Sequence, residues 1–86
     1  MTRNEMLNAL SLAAWCEITF TKKDGSTRFV EMATRNMEQI PTIHRPKNDQ
    51  PRAENLDTIR YYDINLGEWR SFRVDSVSHF NPVPMF

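Results

Sequence analysis

The sequence predicts a mainly β fold: a small, strongly bent antiparallel barrel of about five strands with an N-terminal α-helix. Three observations point there. A helix-start signal stands at the very N-terminus. Short stretches of alternating apolar and polar residues follow, separated by turn residues. With only 86 residues, a flat sheet would leave exposed edges that bending into a barrel removes.

Thr2-Arg3-Asn4-Glu5 has the capping-box pattern, in which the threonine hydroxyl accepts from the glutamate N–H and the carboxylate reaches back. Met6, Leu7, Leu10 and Ala14 follow at helical spacing, so a helix is expected over 3–13 within an N-terminal segment 1–14. Its apolar stripe is expected to plug one open end of the sheet.

From Trp15 to Lys22, Cys16, Ile18 and Phe20 share one face and Glu17, Thr19 and Thr21 the other, which marks a half-buried strand. Lys23-Asp24-Gly25 then turns the chain, Asp-Gly being a strong hairpin signal. A three-residue loop with Gly25 in the left-handed region sets Ile18 opposite Val30 and Cys16 opposite Met32. A two-residue loop would set Glu31 opposite Ile18, so the apolar requirement on one face selects the longer loop. Its consequence is Glu17 opposite Glu31, a small cost. The second strand is expected over 27–34.

Asn36 to Ile40 reads as one helical turn stopped by Pro41. Residues 41–57, with Pro41, Pro46 and Pro51 among polar neighbours, are expected to form a long loop that is either functional or tolerated slack. Residues 58–64 make a third strand, with Ile59 and Tyr61 on one face and Arg60, Tyr62 and Ile64 on the other. Asn65 to Glu68 turns, with Gly67 able to take positive φ.

Trp69 to Arg73 is a fourth strand, Phe72 pointing inward with Val74. Trp69, Ser71 and Arg73 point the other way. Arg70 has the inward parity, so either it sits at the barrel rim or the strand assignment is off by one. Asp75-Ser76-Val77 forms a tight turn and Ser78-His79-Phe80 a short fifth strand. Residues 81–86 are expected to be a tail, because prolines cannot join a ladder. The chain then forms one domain over 1–86, with its barrel over 15–80.

The totals bound the function. The formal net charge is zero, from 11 basic and 11 acidic residues, so any nucleic-acid contact has to come from a local cationic patch. One cysteine excludes an internal disulfide and suits a reducing compartment. No apolar run approaches the roughly 20 residues of a membrane span, and Asn8 and Ser11 break the N-terminal apolar stretch short of a signal sequence. The expected location is the cytoplasm, with no membrane partner.

Enzyme chemistry finds no purchase. Cys16, His44 and His79 are the only cysteine and histidines, and their spacing is not that of a zinc site. Cys16 falls on the apolar face, as a structural thiol does. Ser71 and Ser76 lack a nucleophile elbow. Gly25 and Gly67, the only glycines, cannot make a phosphate-cradling loop. No catalytic residue, metal or cofactor is expected.

What remains is a set of arginines beside aromatic rings, the pairing that pins phosphates and stacks unpaired bases. Arg28, Arg60, Tyr62, Trp69, Arg70 and Arg73 are the candidate residues for nucleic-acid or partner binding. Trp69, Arg73, Arg60 and Tyr62 could form one outer patch, and Arg28 could lie over Phe20 at the rim. The competing reading packs Trp69 on Tyr62 and pairs the arginines with Glu68, Asp63 and Asp75.

Several blocks resemble a known family. They are Phe20-Thr21-Lys22-Lys23-Asp24-Gly25-Ser26-Thr27-Arg28, Ala33-Thr34-Arg35, Ile40-Pro41, Tyr62-Asp63 and Trp69-Arg70-Ser71-Phe72-Arg73-Val74-Asp75-Ser76-Val77. Together they resemble short, mostly bacteriophage-encoded proteins with an Sm-like, SH3-like barrel, related to the WYL domain. The resemblance covers about residues 16–80 and leaves out the helix and the tail. It implies a small barrel and, from WYL domains, a regulatory module that binds nucleic acids or small ligands; the Trp-Tyr-Leu triplet itself is absent here. The resulting expectation is a small non-enzymatic module acting in nucleic-acid-related processes by binding DNA or RNA. The alternative is a protein-interaction module, either an inhibitor of a host or phage protein or a self-assembling homo-oligomeric ring.

Overall fold

A computed structural model describes residues 1–46 and 55–84. The chain runs through a helix, α1 (Arg3–Leu12), and five strands: β1 (Trp15–Thr21), β2 (Thr27–Thr34), β3 (Thr58–Asp63), β4 (Glu68–Arg73) and β5 (Val77–Val83). Single 3-10 turns occupy Met37–Gln39, Thr42–His44 and Val74–Ser76. The strands form one antiparallel sheet in the order β4-β3-β2-β1-β5. The turn Val74–Ser76 carries the chain from one edge of that sheet to the other, so connectivity bends it into a barrel.

The helix starts as its sequence requires. Thr2 Oγ1 accepts from the Glu5 N–H at 3.2 Å, and the Glu5 carboxylate accepts from the Thr2 N–H at 2.8 Å. Met6 and Leu10 are buried, Leu10 completely. The helix C-terminus leaves carbonyls without intrahelical donors. That of Leu10 accepts from the Arg35 N–H at 2.9 Å, which fastens the helix to the end of β2.

In the first hairpin Ile18 faces Val30 and Gly25 takes φ +88°. The Lys22 N–H donates to the Ser26 carbonyl at 2.7 Å, which leaves the expected three-residue loop between them. Further along, the pairing departs from strict alternation. Cys16 faces Ala33, not Met32, across a bulge. The extra residue turns both Val30 and Ala33 inward, and each is buried. It also removes the expected opposition of Glu17 and Glu31. Glu17 instead accepts from the Asn81 side chain at 3.0 Å.

The fifth strand is longer than expected. β5 runs through Pro82 to Val83, pairing Cys16 with Pro82 and Trp15 with Val83. Residues 81–83 therefore belong to the barrel, not to a tail. A proline is tolerated there because β5 is an edge strand, where the missing N–H faces away from its neighbour. Residues 47–54 of the expected loop, and the last two residues of the expected tail, lie outside the described residues.

Met6, Leu10, Cys16, Ile18, Phe20, Val30, Ala33, Ile59, Tyr61 and Phe72 form the core. Phe72 sits 5.6 Å from Phe20 and 5.7 Å from Tyr61, ring centre to ring centre. Burial pushes the Cys16 thiol from its ordinary value of 9.0 up to about 12. The folded chain thus keeps a proton that the unfolded chain releases. That contribution to stability is complete below about pH 9 and is lost as pH rises toward 12. The urea midpoint should fall as pH passes 9, and Cys16→Ala should flatten this alkaline slope.

Candidate nucleic-acid interface

The β1–β2 hairpin and the β3–β4 pair face each other across a cleft of about 410 Å³. Its floor lies over the Phe20, Tyr61 and Phe72 rings, which are buried in the core at 5%, 0% and 3% exposed. Its walls carry Lys22, Lys23, Arg28, Arg70 and Arg73, with Thr58 and Ser71 between them. Five cations in one concavity is a strong local excess for a chain of zero net charge.

Each cation arrives by strand geometry. Lys22 and Lys23 follow the end of β1, where the chain leaves the core after Phe20. Arg28 stands opposite Phe20 in the hairpin, so its stem packs while its head reaches the rim. Arg70 stands opposite Tyr61, and Phe72 opposite Ile59. The inward parity of Arg70 thus ends at the rim, one of the two outcomes the sequence allowed, and Arg73 completes the rim where β4 stops.

The acids nearby are arranged unequally. Arg70 holds Glu68 at 2.7 Å and Arg73 holds Asp75 at 3.2 Å, both pairs exposed to solvent. The Arg73 guanidinium keeps the Asp75 carboxyl below the usual range, and its own value is raised in turn. Such exposed pairs are weak because solvent screens them, so an anionic ligand displaces the carboxylate at little cost.

Arg28 lies 3.7 Å from the buried Asp63, a loose contact. Asp63 is also engaged by the turn, accepting from the Leu66 N–H at 3.1 Å. The buried Arg28 Nε has no hydrogen-bond partner among the described residues. Burial also raises the Tyr61 hydroxyl above its ordinary value, so it stays protonated beside the arginines.

Arg60, Tyr62 and Trp69 do not join this cleft. They lie on the other face of β3–β4 and hold the Thr42–His44 turn. The Trp69 indole N–H donates to the His44 carbonyl at 2.7 Å, and His44 Nδ1 is 2.7 Å from the Tyr62 hydroxyl. Tyr62 packs edge-on against Trp69 at 5.7 Å, and the Arg60 guanidinium lies 5.2 Å over the Trp69 ring. Tyr62, expected on the outer surface, is 2% exposed, because the chain after β2 folds back over it. The candidate outer patch of Trp69, Arg73, Arg60 and Tyr62 is therefore split. Arg73 goes to the cleft with Arg28 and Arg70, and the other three are engaged in packing. Packing of Trp69 on Tyr62 and pairing of the arginines with Glu68, Asp63 and Asp75 all occur together with the cleft.

Lys22 and Lys23 were missed in the sequence. Their signal was position: two lysines directly after the inward Phe20, at the mouth of the hairpin. Among the described residues no group of three histidine, cysteine or acidic side chains is placed to hold a metal ion, and no helix is long and apolar enough to cross a membrane.

Comparison with known proteins agrees with this architecture. A family model described as WYL_2, Sm-like SH3 beta-barrel fold matches residues 4–77. The match takes in α1, which the resemblance drawn from the sequence had left outside. One relative is an uncharacterized 11.5 kDa protein from the Gp31-cd intergenic region of Enterobacteria phage T4. It is 34% identical over 65 residues, or 74% of this chain and 63% of the relative, so the chain matches less than two thirds of that protein's length. No solved structure matches.

Proposed function

Since this chain belongs to the WYL_2 family, with its Sm-like SH3 β-barrel fold, we propose that it is a small non-enzymatic module that binds nucleic acid in the cationic cleft. The observation that carries this reading is the convergence of Lys22, Lys23, Arg28, Arg70 and Arg73 on one cleft. Phosphates supply negative charge to Lys22 and Lys23 and can replace the exposed carboxylates that Arg70 and Arg73 hold. The cleft volume of about 410 Å³ lies in the range of about 300–1,000 Å³ typical of ligand sites. That suits one unpaired nucleotide better than a duplex, whose bases cannot reach a concave floor. The protein then acts in the cytoplasm, that of a bacterial host if a phage encodes it, as a regulator of DNA- or RNA-related processes.

Fluorescence anisotropy with a labelled single-stranded oligonucleotide tests this. Binding should weaken steeply with salt, with a log–log slope approaching about −3.5 if all five cations meet phosphates at about 0.7 each. That is a loss of roughly 100-fold between 50 and 200 mM salt. Absence of binding at low salt to both DNA and RNA strands would end the proposal.

A further inference from the structure

We propose that the outer edge of β2, along Thr27–Glu31, takes an extended acidic peptide from a partner protein as an added strand. β2 pairs with β1 from Thr27 to Val30 and again at Ala33, but with β3 only at Ala33 and Thr34. Its first half therefore has an edge without a strand partner among the described residues. The hydrogen bond from Lys22 to Ser26 fixes the alternation in the hairpin. By that alternation Phe20 and Arg28 exchange hydrogen bonds, while the N–H and C=O groups of Thr27 and Phe29 turn away from β1. The edge continues to Glu31, where the bulge begins. Thr27, Phe29 and Glu31 are all exposed, Phe29 by 57%.

Other edges of this sheet carry devices that block an incoming strand. β5 has Pro82 in its ladder. β3 has its carbonyls at Thr58 and Arg60 taken by the side chains of Arg3 and Arg35. β4 presents the charged Glu68, Arg70 and Arg73. The Thr27–Phe29 stretch has no proline, no capping arginine and no bulge.

Charge complementarity selects the occupant. An added strand places alternate side chains on the cleft side of β2, beside Arg28 and within the field of Lys22 and Lys23. Acidic residues fit there, while β-branched or aromatic residues at the intervening positions lie beside Phe29. A second copy of β2 would bring another Arg28 and no acid to face it. A nucleic-acid backbone cannot offer N–H and C=O groups at peptide spacing.

The test uses the full ¹⁵N-labelled chain and a synthetic seven-residue peptide alternating Glu and Val, with acetyl and amide ends. Two further peptides carry N-methyl groups on every Val or on every Glu. The unmodified peptide should slow amide exchange at Thr27 and Phe29 by about tenfold or more, and one N-methylated peptide should lose binding while the other keeps it. Equal binding by all three would mean attraction by charge alone. That result, unchanged exchange at Thr27 and Phe29, or no binding overturns strand addition. None of these outcomes bears on oligonucleotide binding in the cleft, which is read separately.

Discussion

Replacing Lys22 and Lys23 together with glutamate should weaken single-strand binding by on the order of 100-fold at low salt and flatten the salt slope by about 1.4. Two of five phosphate contacts are lost, and two negative charges take their place at the mouth of the cleft. The fold should not change. Both lysines are exposed just past the end of β1, and neither makes an ion pair with a described residue. Arg60→Gln is the matched control. It removes a cation from the opposite face of β3–β4, where Arg60 lies over Trp69, and should leave affinity unchanged. Anisotropy titrations of the three proteins at two salt concentrations decide the matter. Losses in proportion to the charge removed, four units against one, would point to the net charge of the molecule instead of the cleft.

Leu10→Ala should be the most damaging single change in the helix, costing about 2–5 kcal/mol. A chain of this length is expected to have only about 4–13 kcal/mol in total, so the variant should be largely unfolded at moderate urea. Leu10 is completely buried in the core formed with β1, β2, β3 and β4, and the helix is held there by its own carbonyl. The alanine leaves a void that the surrounding strands cannot close without breaking their register. Leu12, one turn's fraction away, is 69% exposed. Leu12→Ala should change stability by no more than about 0.5 kcal/mol. Urea denaturation followed by circular dichroism compares the two; similar midpoints would show that α1 is dispensable to the barrel.

Most of the fold was legible because its signals are local. The capping box lies within four adjacent residues. The alternation of Cys16, Ile18 and Phe20 needs no distant partner, and Gly25 and Gly67 both take the positive φ expected of their turns. Where the reading departed, the decisive contact lies far along the chain. The bulge opposite Cys16 depends on which β2 residues fit under α1, and strict alternation cannot reveal that. Pro82 looked like a strand breaker because only the complete sheet order shows β5 to be an edge. Tyr62 looked like an outer residue because only folding of the Thr42–His44 turn onto β3–β4 covers it.

The candidate site divides along the same line. Arg28 and Arg70 could be placed at the rim from strand parity, whereas the same parity assigned Arg73 to the outer patch, and it reaches the cleft because β4 stops there. The convergence of all three with Lys22 and Lys23 could not be read, since it depends on how the first hairpin crosses the second. The aromatic residues were assigned by parity alone. That served for Phe72 and Tyr61, which lie under the floor, and failed for Tyr62, which the His44 turn buries.

The most direct test of the cleft as the binding site is a titration of ¹⁵N-labelled protein with an unlabelled single-stranded oligonucleotide, read as backbone amide shifts. The largest shifts should fall at Lys22, Lys23, Arg28, Tyr61, Arg70 and Arg73, with Arg60 and Trp69 hardly moving. Shifts centred on Arg60, Trp69 and His44, or none at any residue under low-salt conditions, would contradict it.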